Sequence, residues 1–352
     1  FAVGTVDQAL MAAMNVKHGF VRTFGLAGKV VILDEIHSYD MYTGTLLDQL
    51  VKVLVDLQCT VIILSATLTT QRRKEILSEN KEIVDSMYPL ISKKHSDLPV
   101  LELEPEQIET AEVLVNCVTD DKSTIEEVLC RAENGQQVLW IENTIGEAQA
   151  MYKILGARAA NCGVDCGVLH SRFIKKDREL LEEKWGGIFG KGGGPQRKQC
   201  GRILIGTQVL EQSLDIDADF LVTRLCPSDM LFQRVGRLWR HRSNDSSRPP
   251  NAKREMWILA PKVSTAYTVK GAFGKSEMVY SPYILCRTLE IWTTIKSVLI
   301  PEDIPIILKD SYSERNESGL LSSYKYDLCK KRESLRRLAL VGVSKLGKTL
   351  PE

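Results

Sequence analysis

Four short strings carry residues that could act on a phosphate ester. Asp34-Glu35-Ile36-His37 closes an apolar run, and its adjacent acids can divide the work of nucleotide hydrolysis. One carboxylate must hold Mg²⁺ and another must orient or deprotonate the attacking water. Successive side chains of a strand point opposite ways, which assigns Asp34 to Mg²⁺ and Glu35 to the water. An isolated string of this kind more often marks two solvated acids opening a loop, so its weight comes from its neighbours. Ser65-Ala66-Thr67 ends the next apolar run, where Ser65 and Thr67 could hydrogen-bond the acid cluster and couple it to an interdomain surface.

The third string, residues 206–217, reads Gly-Thr-Gln-Val-Leu-Glu-Gln-Ser-Leu-Asp-Ile-Asp. Gly206 and Thr207 could offer an N–H and a hydroxyl to a nucleic-acid phosphate, and Asp215 is placed to sense bound nucleotide. The fourth and most specific is Gln233-Arg234-Val235-Gly236-Arg237-Leu238-Trp239-Arg240. Arg237 and Arg240 are three apart and on a helix would share a face. Two guanidiniums on one face suit the charge that develops on a transferring phosphoryl group, and Gly236 permits close backbone approach. Supplied by a second lobe, they would make hydrolysis depend on lobe closure.

The elements that must present these strings alternate between strand and helix. Residues 29–35 predict a buried parallel strand, 43–58 a helix and 60–64 a second strand, which together make a βαβ unit. Residues 85–111 hold three prolines and many charges, and predict a linker or crossover strand. The alternation then restarts: strand 137–141, helix 146–158, strand 167–170, helix 176–185 and strand 202–205. The glycine-rich, basic stretch 186–201 predicts a flexible surface loop. Beyond about residue 262 the pattern predicts helices over 283–299 and 324–340, the latter with a basic run whose ordinary meaning is a solvated face. The fold class is α/β: two tandem RecA-like domains, the first incomplete, with a partial, mainly helical C-terminal extension. The predicted boundaries are 1–98, 99–262 and 263–352.

A length of 352 residues with 44% hydrophobic content fits about two domains. The formal net charge of +1 means that any nucleic acid must meet a local basic face. Nine scattered cysteines include no CxxC pair, and Cys162 and Cys166 read as ordinary reduced thiols of a cytosolic protein. No apolar run is long enough to cross a bilayer, so no membrane partner is expected.

The order of the four strings resembles motifs II, III, V and VI of superfamily 2 helicases over residues 3–241. Finer strings narrow this: Val3-Gly4-Thr5-Val6-Asp7-Gln8-Ala9-Leu10 with Lys17-His18, Leu26-Ala27-Gly28-Lys29, Leu169-His170-Ser171-Arg172-Phe173, and Glu211-Gln212-Ser213-Leu214-Asp215-Ile216-Asp217. These are similar to the helicase part of the CRISPR-associated type I helicase-nuclease family. Trp239 departs from that pattern, which leads us to expect a histidine and only altered packing. The resemblance implies ATP and Mg²⁺ as cofactors, with Asp34 as the metal ligand. It places Glu35, Asp34, Arg237, Arg240 and Gln233 in catalysis, and adds His37, Asp215 and Gly236 to the nucleotide contacts. It further implies DNA contacts at Gly4, Thr5, Lys17, Gly206 and Thr207. The implied activity is an ATP-driven 3′–5′ motor on single-stranded DNA in the prokaryotic cytoplasm, recruited by a crRNA-guided CRISPR surveillance complex.

No histidine is followed by aspartate, so no HD nuclease is expected in this chain. The phosphate loop should precede residue 1. Gly342–Thr349 fits G-x-x-x-x-G-K-[ST] literally, but Leu350-Pro351-Glu352 leave no room for the helix that such a loop must open. The chain alone is therefore expected to bind ATP poorly and to need the nuclease and phosphate-loop segment as partners. Two alternatives stay open: an RNA helicase of the DEAH or DEAD type, and a helicase-like binding module without catalysis.

Overall fold

The computed structural model describes residues 2–36, 40–78, 88–95, 98–104, 109–212 and 214–343. The chain divides into two compact units, each described by itself. Unit 1 comprises residues 1–85, 90–103 and 325–352, and unit 2 comprises 86–89 and 104–324. The expected extension 263–352 is thus divided at Tyr324 and Lys325 rather than kept whole.

In unit 1 the strands β1 (Val30–Leu33) and β2 (Thr60–Ile63) pair in parallel, with Leu33 opposite Ile63. The helix Met41–Asp56 joins them, its N-terminus capped by the Asp40 side chain, which accepts from the Thr43 N–H. Its apolar stripe of Leu46, Leu47, Leu50 and Leu54 packs with Leu10, Ala13 and Leu33 into one core. The strand expected to be buried is covered on one face within this chain: Val31 and Leu33 are buried, while Val30 and Ile32 are 64% and 60% exposed. Within the stretch expected as a linker, β3 (Ile91–Lys93) and β4 (Leu101–Leu103) form a short antiparallel ladder.

Unit 2 is built on a seven-stranded sheet. Its strands are β5 (Ala111–Val118), β6 (Gln137–Ile141), β7 (Asp165–Leu169), β8 (Arg202–Gly206), β9 (Phe220–Arg224), β10 (Glu255–Leu259) and β11 (Ser297–Ile300), in the order β11-β5-β10-β9-β6-β8-β7. All neighbours are parallel except β11, which runs antiparallel to β5 at the edge. The central β6 and β8 are buried along their whole length, as a sheet covered by helices on both faces requires.

Three expectations are corrected in unit 2. The helix expected over 283–299 ends at Trp292, and the β-branched run that follows becomes β11, because the open edge of β5 offers backbone partners. The stretch 186–201 is not a loose loop: the helix Lys175–Phe189 runs into it and a short helix Gly194–Arg197 follows. Its glycines serve close approach, since a Cβ on Gly193 would lie 2.0 Å from the Ile188 carbonyl. Finally, Arg237 and Arg240 do not share a helix face, because the helix Ser228–Val235 stops before them. Among the described residues no helix is long and apolar enough to cross a membrane.

Candidate functional site

The first strand of unit 1 ends where chemistry was expected. Asp34 and Glu35 are exposed just beyond β1, and the Glu35 N–H donates to the Asp34 carboxylate at 2.9 Å. Glu35 has φ of 56°, a left-handed conformation that few residues outside glycine and asparagine adopt without strain. Ile36, 5% exposed, anchors the turn in the core, and its N–H reaches the Leu64 carbonyl at the tip of β2. The parallel register therefore sets Asp34-Glu35 beside Ser65-Ala66-Thr67. There the Ser65 hydroxyl donates to the Thr67 carbonyl at 3.0 Å, and Thr67 is buried. His37 lies outside the described residues.

A carboxylate at an open strand tip fits Mg²⁺, which is held by one or two protein acids plus substrate phosphates and keeps several waters. No cluster of three potential metal ligands occurs among the described residues. Elsewhere in unit 1, Gly4, Thr5 and Lys17 are exposed around a packed helix pair, Val6–Ala13 and Gly19–Leu26. The pair is pinned by Thr23, whose hydroxyl donates to the Ala12 carbonyl at 3.0 Å.

In unit 2, Gly206 closes β8 with no space for a side chain: a Cβ would meet the Leu169 carbonyl at 2.4 Å. Thr207 is buried as well, so neither residue presents a side chain to solvent. The short helix Val209–Gln212 follows, and its Glu211 joins two arginines of the fourth string. Arg234, fully buried, donates to Glu211 at 2.6 Å, to the Thr223 hydroxyl at 2.6 Å and to Asn143 at 3.1 Å. Arg237 donates to the Glu211 carbonyl. Burial pushes the Glu211 carboxyl above its ordinary value, against the pull of Arg234. Arg234 is a residue that sequence reasoning missed; its place between Gln233 and Gly236 was the only signal.

The stretch after the helix is a turn bonded to the third string. Gly236 caps the helix, the Ala218 N–H donates to the Arg237 carbonyl at 2.8 Å, and the Trp239 N–H returns to the Ala218 carbonyl at 3.0 Å. Arg240 donates to Asp215 at 2.6 Å, and His241 lies 3.2 Å from the same oxygen. Slight burial would raise the Asp215 carboxyl, but the bond from Arg240 and the charges of His241, Arg240 and Arg237 hold it below the ordinary value. Gln233 sits half-buried one residue before Arg234, and its side-chain nitrogen is buried without a hydrogen-bond partner among the described residues. Ser213 lies outside the described residues.

The family described as CRISPR-associated nuclease/helicase Cas3, C-terminal, matches residues 134–243. The CRISPR-associated endonuclease/helicase Cas3 of Escherichia coli K12 is 38% identical over 258 residues, covering 68% of this chain and 28% of that protein. The crystal structure of T. fusca Cas3-ATP superposes with a TM-score of 0.87 at 30% identity, over 98% of this chain and 41% of that one. A chain in a structure described as a CRISPR RNA-guided surveillance complex, pre-nicking, gives 0.80 at 30% identity, over 98% and 44%. The chain spans between 28% and 38% of the length of the first curated relatives. With two RecA-like α/β units and the motif order of a helicase, the chain belongs to the helicase region of the CRISPR-associated Cas3 family.

Proposed function

We propose that this chain is the motor portion of an ATP-dependent helicase that moves 3′ to 5′ on single-stranded DNA during CRISPR interference in the prokaryotic cytoplasm. One observation carries the reading: the Asp34-Glu35 pair stands at the tip of a parallel strand, directly beside Ser65-Ala66-Thr67 on the next. In this reading Asp34 holds Mg²⁺ and Glu35 positions the water, while Ser65 and Thr67 couple their state to the strand tips. Arg237 and Arg240, with Gln233, Gly236 and Asp215 around them, meet the phosphoryl charge. Gly4, Thr5, Lys17 and the backbone at Gly206 and Thr207 follow the DNA phosphates, which gives little sequence preference and a steep salt dependence. The similar chain in a surveillance complex supports a crRNA-guided partner, and the ATP-bound relative supports the nucleotide. Nicking requires an HD domain, for which these residues offer no His-Asp pair.

The test is single-stranded-DNA-stimulated ATPase, measured on this chain and on a longer form that carries a phosphate loop. Activity in the longer form that Glu35→Gln removes, at least a hundredfold, with ATP binding retained, is the expected result. Stimulation by RNA but not DNA would shift the reading to an RNA helicase. Absence of activity in both forms would leave a binding module.

A further inference from the structure

The turn that carries Arg240 is held by a buried charge cluster that joins Asp217, at the end of the third string, to Asp219, Arg197 and Arg248, which lie outside all four strings. Asp217 and Asp219, both almost fully buried, face two equally buried arginines, Arg197 and Arg248. Arg248 bridges the two acids, donating to Asp219 at 2.6 Å and to Asp217 at 2.8 Å. Arg197, from the short helix Gly194–Arg197, donates to the Asp217 carbonyl at 2.7 Å and to the Asp219 carboxylate. Asp217 in turn accepts the backbone N–H of Arg240 at 2.9 Å.

A second, independent observation lies at Trp239. Its φ of 53° is strained for a residue with a bulky side chain. Three contacts hold it there besides its N–H bond to the Ala218 carbonyl. The indole N–H donates to the Asp219 carbonyl at 3.0 Å, the Arg248 guanidinium lies 4.5 Å above the ring, and Arg254 donates to the Trp239 carbonyl at 2.7 Å. A guanidinium stacked on an indole while forking to two carboxylates uses properties that lysine lacks.

We propose that Trp239 and Arg248, seated on Asp217 and Asp219, are positioning residues that fix the Arg240 turn for nucleotide hydrolysis. Burying two acids with two arginines costs desolvation, which a hydrophobic filling would avoid. The arrangement supplies instead a rigid base directly under the backbone N–H of Arg240. Trp239, expected to alter packing alone, becomes the lid of that base.

The inference rests on the motor reading, and the experiment separates the two. DNA-stimulated ATPase is measured in the full-length protein for wild type, Trp239→Gly and Arg248→Lys, with thermal midpoints and ATP KM recorded alongside. Glycine adopts the left-handed turn without strain, so Trp239→Gly removes the lid and leaves the backbone path intact. Arg248→Lys keeps the charge and loses the fork. Both are expected to lower kcat on the order of tenfold or more while KM for ATP stays within about twofold, the signature of a misplaced transition-state group. Should Arg248→Lys not fold, Trp239→Gly still gives the reading. Folded variants with wild-type kcat, or with a lowered midpoint and no change in kcat, overturn the positioning role alone. An inactive wild type removes the motor reading and this inference together.

Discussion

Arg234 and His170 show what burial does to single side chains near the motifs. Arg234 is fully buried and spends its donors on Glu211, Thr223, Asn143 and the Arg224 carbonyl. Arg234→Ala leaves a buried acid without its partner and is expected to cost about 3–5 kcal/mol. Urea denaturation reads this as a lowered midpoint, and Arg234→Met with Glu211→Leu should recover most of it. No recovery would mean that the pair is worth more than its own desolvation. His170 is buried, 3.0 Å from the Gln149 side-chain nitrogen and stacked on Phe173 at 4.4 Å between ring centroids. Burial disfavours the imidazolium and lowers its pKa. The unfolded chain then takes up a proton near the ordinary value of about 6.5 while the folded chain does not, so stability falls as pH drops below that value. His170→Gln should flatten the loss of thermal stability between pH 7 and 5 relative to wild type. Equal slopes in the two proteins would reject the assignment.

At the scale of elements, legibility followed locality. The tips of β1 and β2 were readable because a short apolar run with acids or hydroxyls at its end encodes both strand and site in adjacent residues. The strand β11 was not, because its partner β5 lies far away in the chain and its apolar, β-branched residues continue the apolar pattern of the helix before it without a break. The stretch 186–201 misled for a physical reason: glycine reads as flexibility, yet here it is the residue small enough for backbone to pass backbone. The same misreading hid Arg197, since a basic residue among glycines suggests solvent and not a buried ion pair. A Cβ on Gly193 would collide with the Ile188 carbonyl, whereas one on Gly192 meets nothing within 4 Å. Gly193→Ala is expected to cost roughly 1–3 kcal/mol and Gly192→Ala almost nothing, by thermal denaturation. Equal effects would restore the loop reading. The arginine turn escaped for a related reason: helical spacing of Arg237 and Arg240 is a pattern, and Gly236 with Trp239 breaks it only in three dimensions.

At the scale of the whole molecule, the helix Gly319–Val341 begins in unit 2 and ends in unit 1. There Ala339 joins the core of Leu10, Leu46 and Leu50, and the Asn15 N–H donates to the Gly342 carbonyl at 2.8 Å. Met14 and Val343 form an antiparallel bridge beside it. Removing residues 325–352 should therefore weaken unit 1 by roughly 1–3 kcal/mol and leave unit 2 unchanged. Hydrogen exchange would show this as faster exchange in β1 and β2 with β6 and β8 unaffected, and uniform protection would contradict it. The same bridge makes unit 2 an insertion within unit 1. A ribosome making this chain releases the sheet of unit 2 complete before the residues that close unit 1 exist. At about 5–20 residues per second the strands β1 and β2 wait on the order of tens of seconds for the helix Gly319–Val341. During that interval the apolar residues around Leu10 and Leu46 stand without the cover that Ala339 gives them in the folded unit.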